Sequence, residues 1–343
     1  MMKASRSFLS AFAVFVVVGG CTALAQQPAT PAVPVSHGPA DQQKVHKQDR
    51  PFELHALTPE FWEVFDKNAT LATMGTGFGF TEGPVWDPAG FLWVSDESKN
   101  TIDKLYQDGH IEHMVSLVDP DGSTYDQEHR LLSTASGLRA IIRLSADGKS
   151  FETVVDHYQG KKLNTPNDIV IGPDGAIYFT DPIIDMTRDQ KQELPPSIYR
   201  IGADKNMSLL TAEMKAPNGL AFSPNGKYLY IDDDDSMKIR RYKFHKDGTV
   251  SDGADFGDMT DPMHRGVPDG MKVDQKGRLF VSGPTGIWVW NRKGVHIGTV
   301  QMPKSMANLT WGGPDNSKLY ITASDTVYIL QTKTRGILGY TKK

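Results

Sequence analysis

Six positions in the chain carry an oxygen-bearing polar side chain at the same place in a recurring segment: Glu82, Asp121, Asn167, Asn218, Asp269 and Asn308. They open the segments EGPVWDPAGFLWVSD, DGSTYDQEHRLLSTA, NDIVIGPDGAIYFTD, NGLAFSPNGKYLYID, DGMKVDQKGRLFVSG and NLTWGGPDNSKLYIT. If the segments fold alike, the six side chains meet at one place. Carboxylates brought together repel, and lost hydration pushes their pKa values up. A hard divalent cation removes both problems. Ca²⁺ accepts about six to eight oxygen ligands at irregular angles, and Asp, Glu and Asn supply them. Zinc prefers His and Cys, and no opening residue is either. The expected chemistry is that of a Ca²⁺ site, with other divalent cations as alternatives. An Asn or Asp before Gly is also a common turn former, so any one of these positions alone reads as a turn. Six in one register favour the ion.

The elements that must position them are short strands. Each segment reads as a strand, a turn rich in Gly, Asp and Pro, and a second strand dense in Val, Ile, Leu and aromatic residues. The openers recur every ~40–50 residues, the period of a propeller blade. Helical signals are almost absent past residue 67. The expectation is an all-β fold, a six-bladed β-propeller over residues 51–343, with the openers at one mouth of its central tunnel. A short helix is predicted before it at TPEFWEVFD (58–66), with Thr58 as N-cap, Pro59 at the first position, and Phe61, Trp62 and Phe65 on its apolar side.

Composition narrows the partners. Of 343 residues, 39% are hydrophobic, enough for a sizeable core, and the formal charge is −4. That charge gives no reason to expect nucleic acid or an anionic membrane surface. The one cysteine, Cys21, excludes a disulfide framework and a Cys-based zinc site within one chain. There is no G-x-S-x-G elbow for a serine nucleophile. Lys3, Arg6, the apolar run 8–20 and Ala23-Leu24-Ala25 read as a signal peptide over residues 1–25, so the protein is expected to be exported, periplasmic or secreted. Val18-Gly19-Gly20-Cys21 resembles a lipoprotein box, which would instead tether the chain to a membrane through lipid on Cys21. Residues 26–50, rich in Pro, Ala and polar side chains, read as a flexible linker. The sequence sets no oligomeric state.

Five stretches carry a family resemblance: FTEGPVWD (80–87), LNTPNDIVIGPDGAIYFTDP (163–182), APNGLAFSPNGKYLY (216–230), GVPDGMKVDQKGRLFVS (266–282) and ANLTWGGPDNSKLYIT (307–322). From about residue 51 to residue 330 the chain resembles the senescence marker protein (regucalcin), gluconolactonase and lactonase family of calcium-dependent six-bladed propellers, and its bacterial gluconolactonase-like branch in particular. The resemblance implies that Glu82, Asn167, Asn218 and Asp269 bind the catalytic cation. It further implies a small-molecule substrate, a sugar lactone such as gluconolactone. Asp269 is the expected general base, with direct nucleophilic attack as its alternative role. Asp121, Asn308 and Arg265 are expected on the substrate side.

Two other functions stand beside this one: phosphotriester or aryl-ester hydrolysis on the same metal, and a non-catalytic exported propeller that binds a ligand. Departures from the family pattern at STASG (133–137), TDPIID (180–185) and His264-Arg265 bear on the substrate, not on the metal. Asp168 reads as a turn or strand cap, or as a ligand of a second cation. Asp232 to Asp235 resembles a weak cation site but reads first as a solvated acidic loop, and Trp288 and Trp290 read as packing. Of the histidines, His129 and His264 are the two considered for a place near the site, and neither is assigned a role. Arg143 and Lys162, like Arg265, are candidates to meet an anionic substrate.

Overall fold

Short runs of β-branched and aromatic residues between tight turns pair most readily with the run that follows them. In a computed structural model, which describes residues 50–337, these runs form an all-β, six-bladed propeller with almost no helix. Four blades are continuous antiparallel meanders of four strands, at 81–116, 120–155, 169–211 and 217–258. The fifth, at 271–301, gains an extra outer strand, Glu53–Ala56, antiparallel to His296–Gln301. The sixth takes three strands from 309–331 and its fourth from Leu71–Thr76, with Leu71 opposite Leu330 and Thr76 opposite Thr326.

That pairing closes the ring. A blade buries its faces only against its neighbours, so a strand from ahead of blade one ties the first part of the propeller to the last. These two outer strands precede Glu82, where the repeat begins, and are not among the elements expected from it. LATMGT and ELHA carry none of the repeat's opening or turn residues.

The segment predicted as a helix is a single 3₁₀ turn, Pro59–Glu63. Thr58 precedes it in an extended conformation, but its side chain makes no capping hydrogen bond. Tertiary packing accounts for the short turn. Phe61 and Phe65 are fully buried, Phe65 meets Phe280 edge-on at 6.4 Å, and Phe280 meets Trp311 at 5.0 Å. Arg278, also buried, anchors the turn through Glu60 (3.1 Å) and Glu63. The rest of the core lies in layers between blades, as with Tyr178, Phe222 and Phe244 between blades three and four. Trp288 and Trp290 pack as expected, stacked on His296 at 4.4 and 4.9 Å.

The first strand of each blade lies innermost and touches its counterpart in the next blade. The predicted signal peptide, the lipid site at Cys21 and nearly all of the predicted linker lie outside the described residues. No helix among the described residues is long and apolar enough to cross a membrane.

Candidate metal and active site

The openers stand at or just before the start of the innermost strands. Glu82, Asp121 and Asn218 lie inside Thr81–Asp87, Pro120–Tyr125 and Pro217–Phe222. Asn167, Asp269 and Asn308 lie within two residues of Ile169–Ile171, Met271–Val273 and Leu309–Gly312. Glu82, Asp121, Asn167, Asn218 and Asp269 line one pocket, and Glu97 and Asp234 join them there. Phe80, Ile184, Val267 and Met306 form its apolar wall.

The glycines after two of the openers explain how the openers come so close. A Cβ on Gly83 would lie 2.1 Å from the Asp121 carbonyl oxygen, and one on Gly219 would lie 2.2 Å from that of Asp269. In both cases the next blade's opener occupies the space a side chain would need. At Gly219, where the backbone is not left-handed, close approach and not a turn is what requires glycine. Gly219→Ala is therefore expected to cost about 1–3 kcal/mol by overpacking. It should also weaken cation binding by displacing Asp269. Calorimetric melting with and without Ca²⁺ measures both effects.

Glu82, Glu97 and Asp121 each place a carboxylate oxygen within 4.8 Å of the others, and all three are buried. Amides surround them. Asn308 Nδ2 donates to Glu82 Oε2 at 3.1 Å, and the Gly83 N–H donates to the same oxygen at 2.9 Å. Asn167 Nδ2 donates to Asp121 Oδ2 at 2.7 Å. Asn218 Nδ2 reaches Asp234 Oδ2 at 3.4 Å, which leaves Asn218 Oδ1 buried with no hydrogen-bond donor. A buried carbonyl oxygen without a donor is costly, and a cation satisfies it. With three carboxylates lining the same pocket, and no Cys or His among its lining residues, the donor set fits a hard divalent cation.

The remaining candidates divide. Arg265 is exposed, while the next two residues, Gly266 and Val267, line the pocket. Asn308 does not line it; its amide joins Glu82 to Lys272, whose Nζ donates to Asn308 Oδ1 at 3.3 Å. Arg143 is paired with Asp126 at 2.9 Å and Lys162 with Asp156 at 2.8 Å, and neither lines the pocket. His264 is exposed and held by Asp261 at 2.8 Å. His129 lies near Asp87, at 3.4 Å, towards the other end of blade one's first strand.

The acidic run is not a solvated loop. Asp232 and Asp233 are buried and Asp234 lines the pocket; Asp235 alone is exposed, paired with Lys215 at 2.8 Å. The strand Tyr228–Asp233 delivers the run to the pocket, where neighbouring chain covers it. Burial, with Asp234 and Asp168 nearby, pushes the Asp232 carboxyl well up from its ordinary value. Asp168 is buried too, and its Oδ1 accepts the Ile169 N–H at 2.8 Å. Glu97 was missed because it opens no segment. Its signal is the acid at the end of the second strand in three of the six blades: Asp96-Glu97, Asp181 and Asp232 to Asp235.

Burial raises the Asp181 pKa to about 7. One of its oxygens accepts the Asn164 N–H at 2.9 Å, and the other has no donor. A carboxyl raised above its unfolded value contributes fully below that value, and the contribution is lost as the pH climbs towards 7. Asp181→Asn keeps the acceptor and removes the charge. It is expected to stabilise the cation-free protein at pH 8 by about 2–4 kcal/mol, and by much less at pH 4.5, as urea unfolding at the two pH values will measure.

Comparison with known proteins agrees with this architecture. A family model described as the SMP-30/Gluconolactonase/LRE-like region matches residues 80–325. The chain is 30% identical over 310 residues to a gluconolactonase of Zymomonas mobilis, covering 83% of this chain and 87% of that one. It is 28% identical over 261 residues to the regucalcin of Sus scrofa, covering 71% and 82%. Among solved structures, a gluconolactonase from Xanthomonas campestris superposes with a TM-score of 0.75 at 29% identity, covering 89% of this chain and 99% of that one. The chain belongs to the SMP-30/gluconolactonase/LRE-like family.

Proposed function

We propose that the chain is a divalent-cation-dependent lactone hydrolase, with Ca²⁺ as the ion and a sugar lactone such as gluconolactone as the substrate. The observation that carries this is the pocket that the converging Glu82, Glu97 and Asp121 share with Asn218, whose Oδ1 has no hydrogen-bond donor among the described residues. The gluconolactonases of Zymomonas mobilis and Xanthomonas campestris support the choice of reaction. Glu82, Asn167, Asn218 and Asp269 would hold the ion, with Asp121 and Glu97 adding negative charge. A cation held there would supply Lewis-acid polarisation of the lactone carbonyl.

The chain's own residues do the rest. Asn308 and the Gly83 N–H fix the Glu82 carboxylate. Asn167 fixes Asp121. Asp269 lines the pocket and is only partly buried, so water reaches it, and its carboxylate accepts the proton of the attacking water. The same proton is then available for the ring oxygen that leaves. Phe80, Ile184, Val267 and Met306 limit bulk water on one side.

A pH-indicator assay tests the reading. Glucono-δ-lactone should turn over with Ca²⁺, stop with EDTA and resume when Ca²⁺ is restored. Turnover of paraoxon or an aryl acetate in place of every lactone would move the assignment to ester chemistry. No turnover of either class by cation-loaded protein would leave a ligand-binding propeller.

A further inference from the structure

Beyond the cation pocket, the innermost strands enclose a second space. It is a chamber of about 260 Å³, lined by residues further along the same strands than the openers, including Trp86, Tyr125, Val170, Phe222 and Val273. The wall is mostly apolar, so an apolar guest displaces only weakly held water there. Two side chains that can carry positive charge line it, His129 and Lys272. His129 is already occupied: it stacks on Tyr125 at 3.9 Å and lies 3.4 Å from Asp87 Oδ2. Its side chain is 58% exposed, so the chamber reaches solvent there.

Lys272 is different. It is half-buried, and among the described residues its Nζ has a single acceptor, Asn308 Oδ1, at 3.3 Å. It forms no ion pair among the described residues, and Asp168 acts on it only from beyond that distance. An ammonium carries three donors, so two remain for an acceptor inside an apolar chamber.

We propose that this chamber is a second binding site, for a carboxylate with an apolar body. The head group takes the free donors of Lys272, and the body lies against Trp86, Val170, Phe222 and Val273. A charge-assisted hydrogen bond is roughly twice as strong as a neutral one, which favours a carboxylate over an alcohol of equal length. Lys272 is tied through Asn308 to Glu82, so a change in turnover would not be specific to this site, and direct binding is its readout.

The test is calorimetric titration of the full Ca²⁺-loaded chain with octanoate and with 1-octanol, paired with tryptophan fluorescence, since Trp86 lines the chamber. Octanoate should bind one per chain with a Kd of about 1 mM or tighter, and octanol about tenfold more weakly. Lys272→Met should abolish the preference for octanoate over octanol, a ratio that a general disturbance would not move selectively. Val170→Trp, which fills the chamber, should weaken both probes. Equal binding of the two probes by the wild type overturns the proposal, as does absence of binding at 10 mM, roughly ten times the expected Kd. Unchanged octanoate binding in Val170→Trp overturns it as well. If Lys272→Met does not fold, the probe ratio on the wild type and the Val170→Trp result decide the matter.

Discussion

Glu82→Gln should raise the melting temperature of the cation-free protein and remove most of its response to Ca²⁺. Both directions follow from one geometry. Three buried carboxylates with oxygens within 4.8 Å of one another repel when no cation separates them. Neutralising one relieves about 1–3 kcal/mol of that repulsion at the dielectric effective in proteins. The amide keeps an oxygen for the Gly83 N–H and Asn308 Nδ2, so the local hydrogen bonds have an acceptor. With the cation present the sign reverses. Losing a charged partner from a buried ionic site costs about 3 kcal/mol or more, roughly a hundredfold in affinity. At Ca²⁺ a thousandfold above the wild-type Kd, linkage stabilises the wild type by about 4 kcal/mol and the variant by about 1.4 kcal/mol. Calorimetry in EDTA and across a Ca²⁺ titration reads both. A purely structural Glu82 would give a variant less stable in EDTA.

Asp269→Asn should lower kcat by about 10²–10⁴-fold, the usual contribution of a positioned general base. The carboxamide accepts no proton from water at neutral pH. It still offers an oxygen of the kind Asn167 and Asn218 place in the same pocket, so Ca²⁺ should continue to raise the melting temperature. The two readouts separate loss of the base from loss of the ion. Lactone turnover near the wild-type rate in the Ca²⁺-loaded variant would remove Asp269 from the reaction.

The blades and their openers were legible because a propeller repeats its chemistry. An Asp, Asn or Glu stands at or just before the start of the same strand six times, and phase stands in for structure. Residues outside that phase were not legible. Glu97 follows a second strand and reaches the pocket only because Phe91–Asp96 ends at its rim. Asp232 and Asp233 look solvated in a run of four acids, yet neighbouring chain buries them. Leu71–Thr76 carries no repeat residue and is identified only by the partner it finds in Thr326–Gln331. The helix expected at 58–66 contracts to Pro59–Glu63 because Phe61 and Phe65 are spent on packing against blades five and six. Asn308 keeps the opener phase but uses its amide on Glu82 and Lys272.

Anomalous diffraction from crystals of the full chain grown with Ca²⁺ addresses the cation directly. The account predicts one strong peak in the pocket, about 2.3–2.6 Å from a Glu82 carboxylate oxygen and from Asn218 Oδ1. An empty pocket in protein that turns over lactone at full rate in EDTA would contradict it.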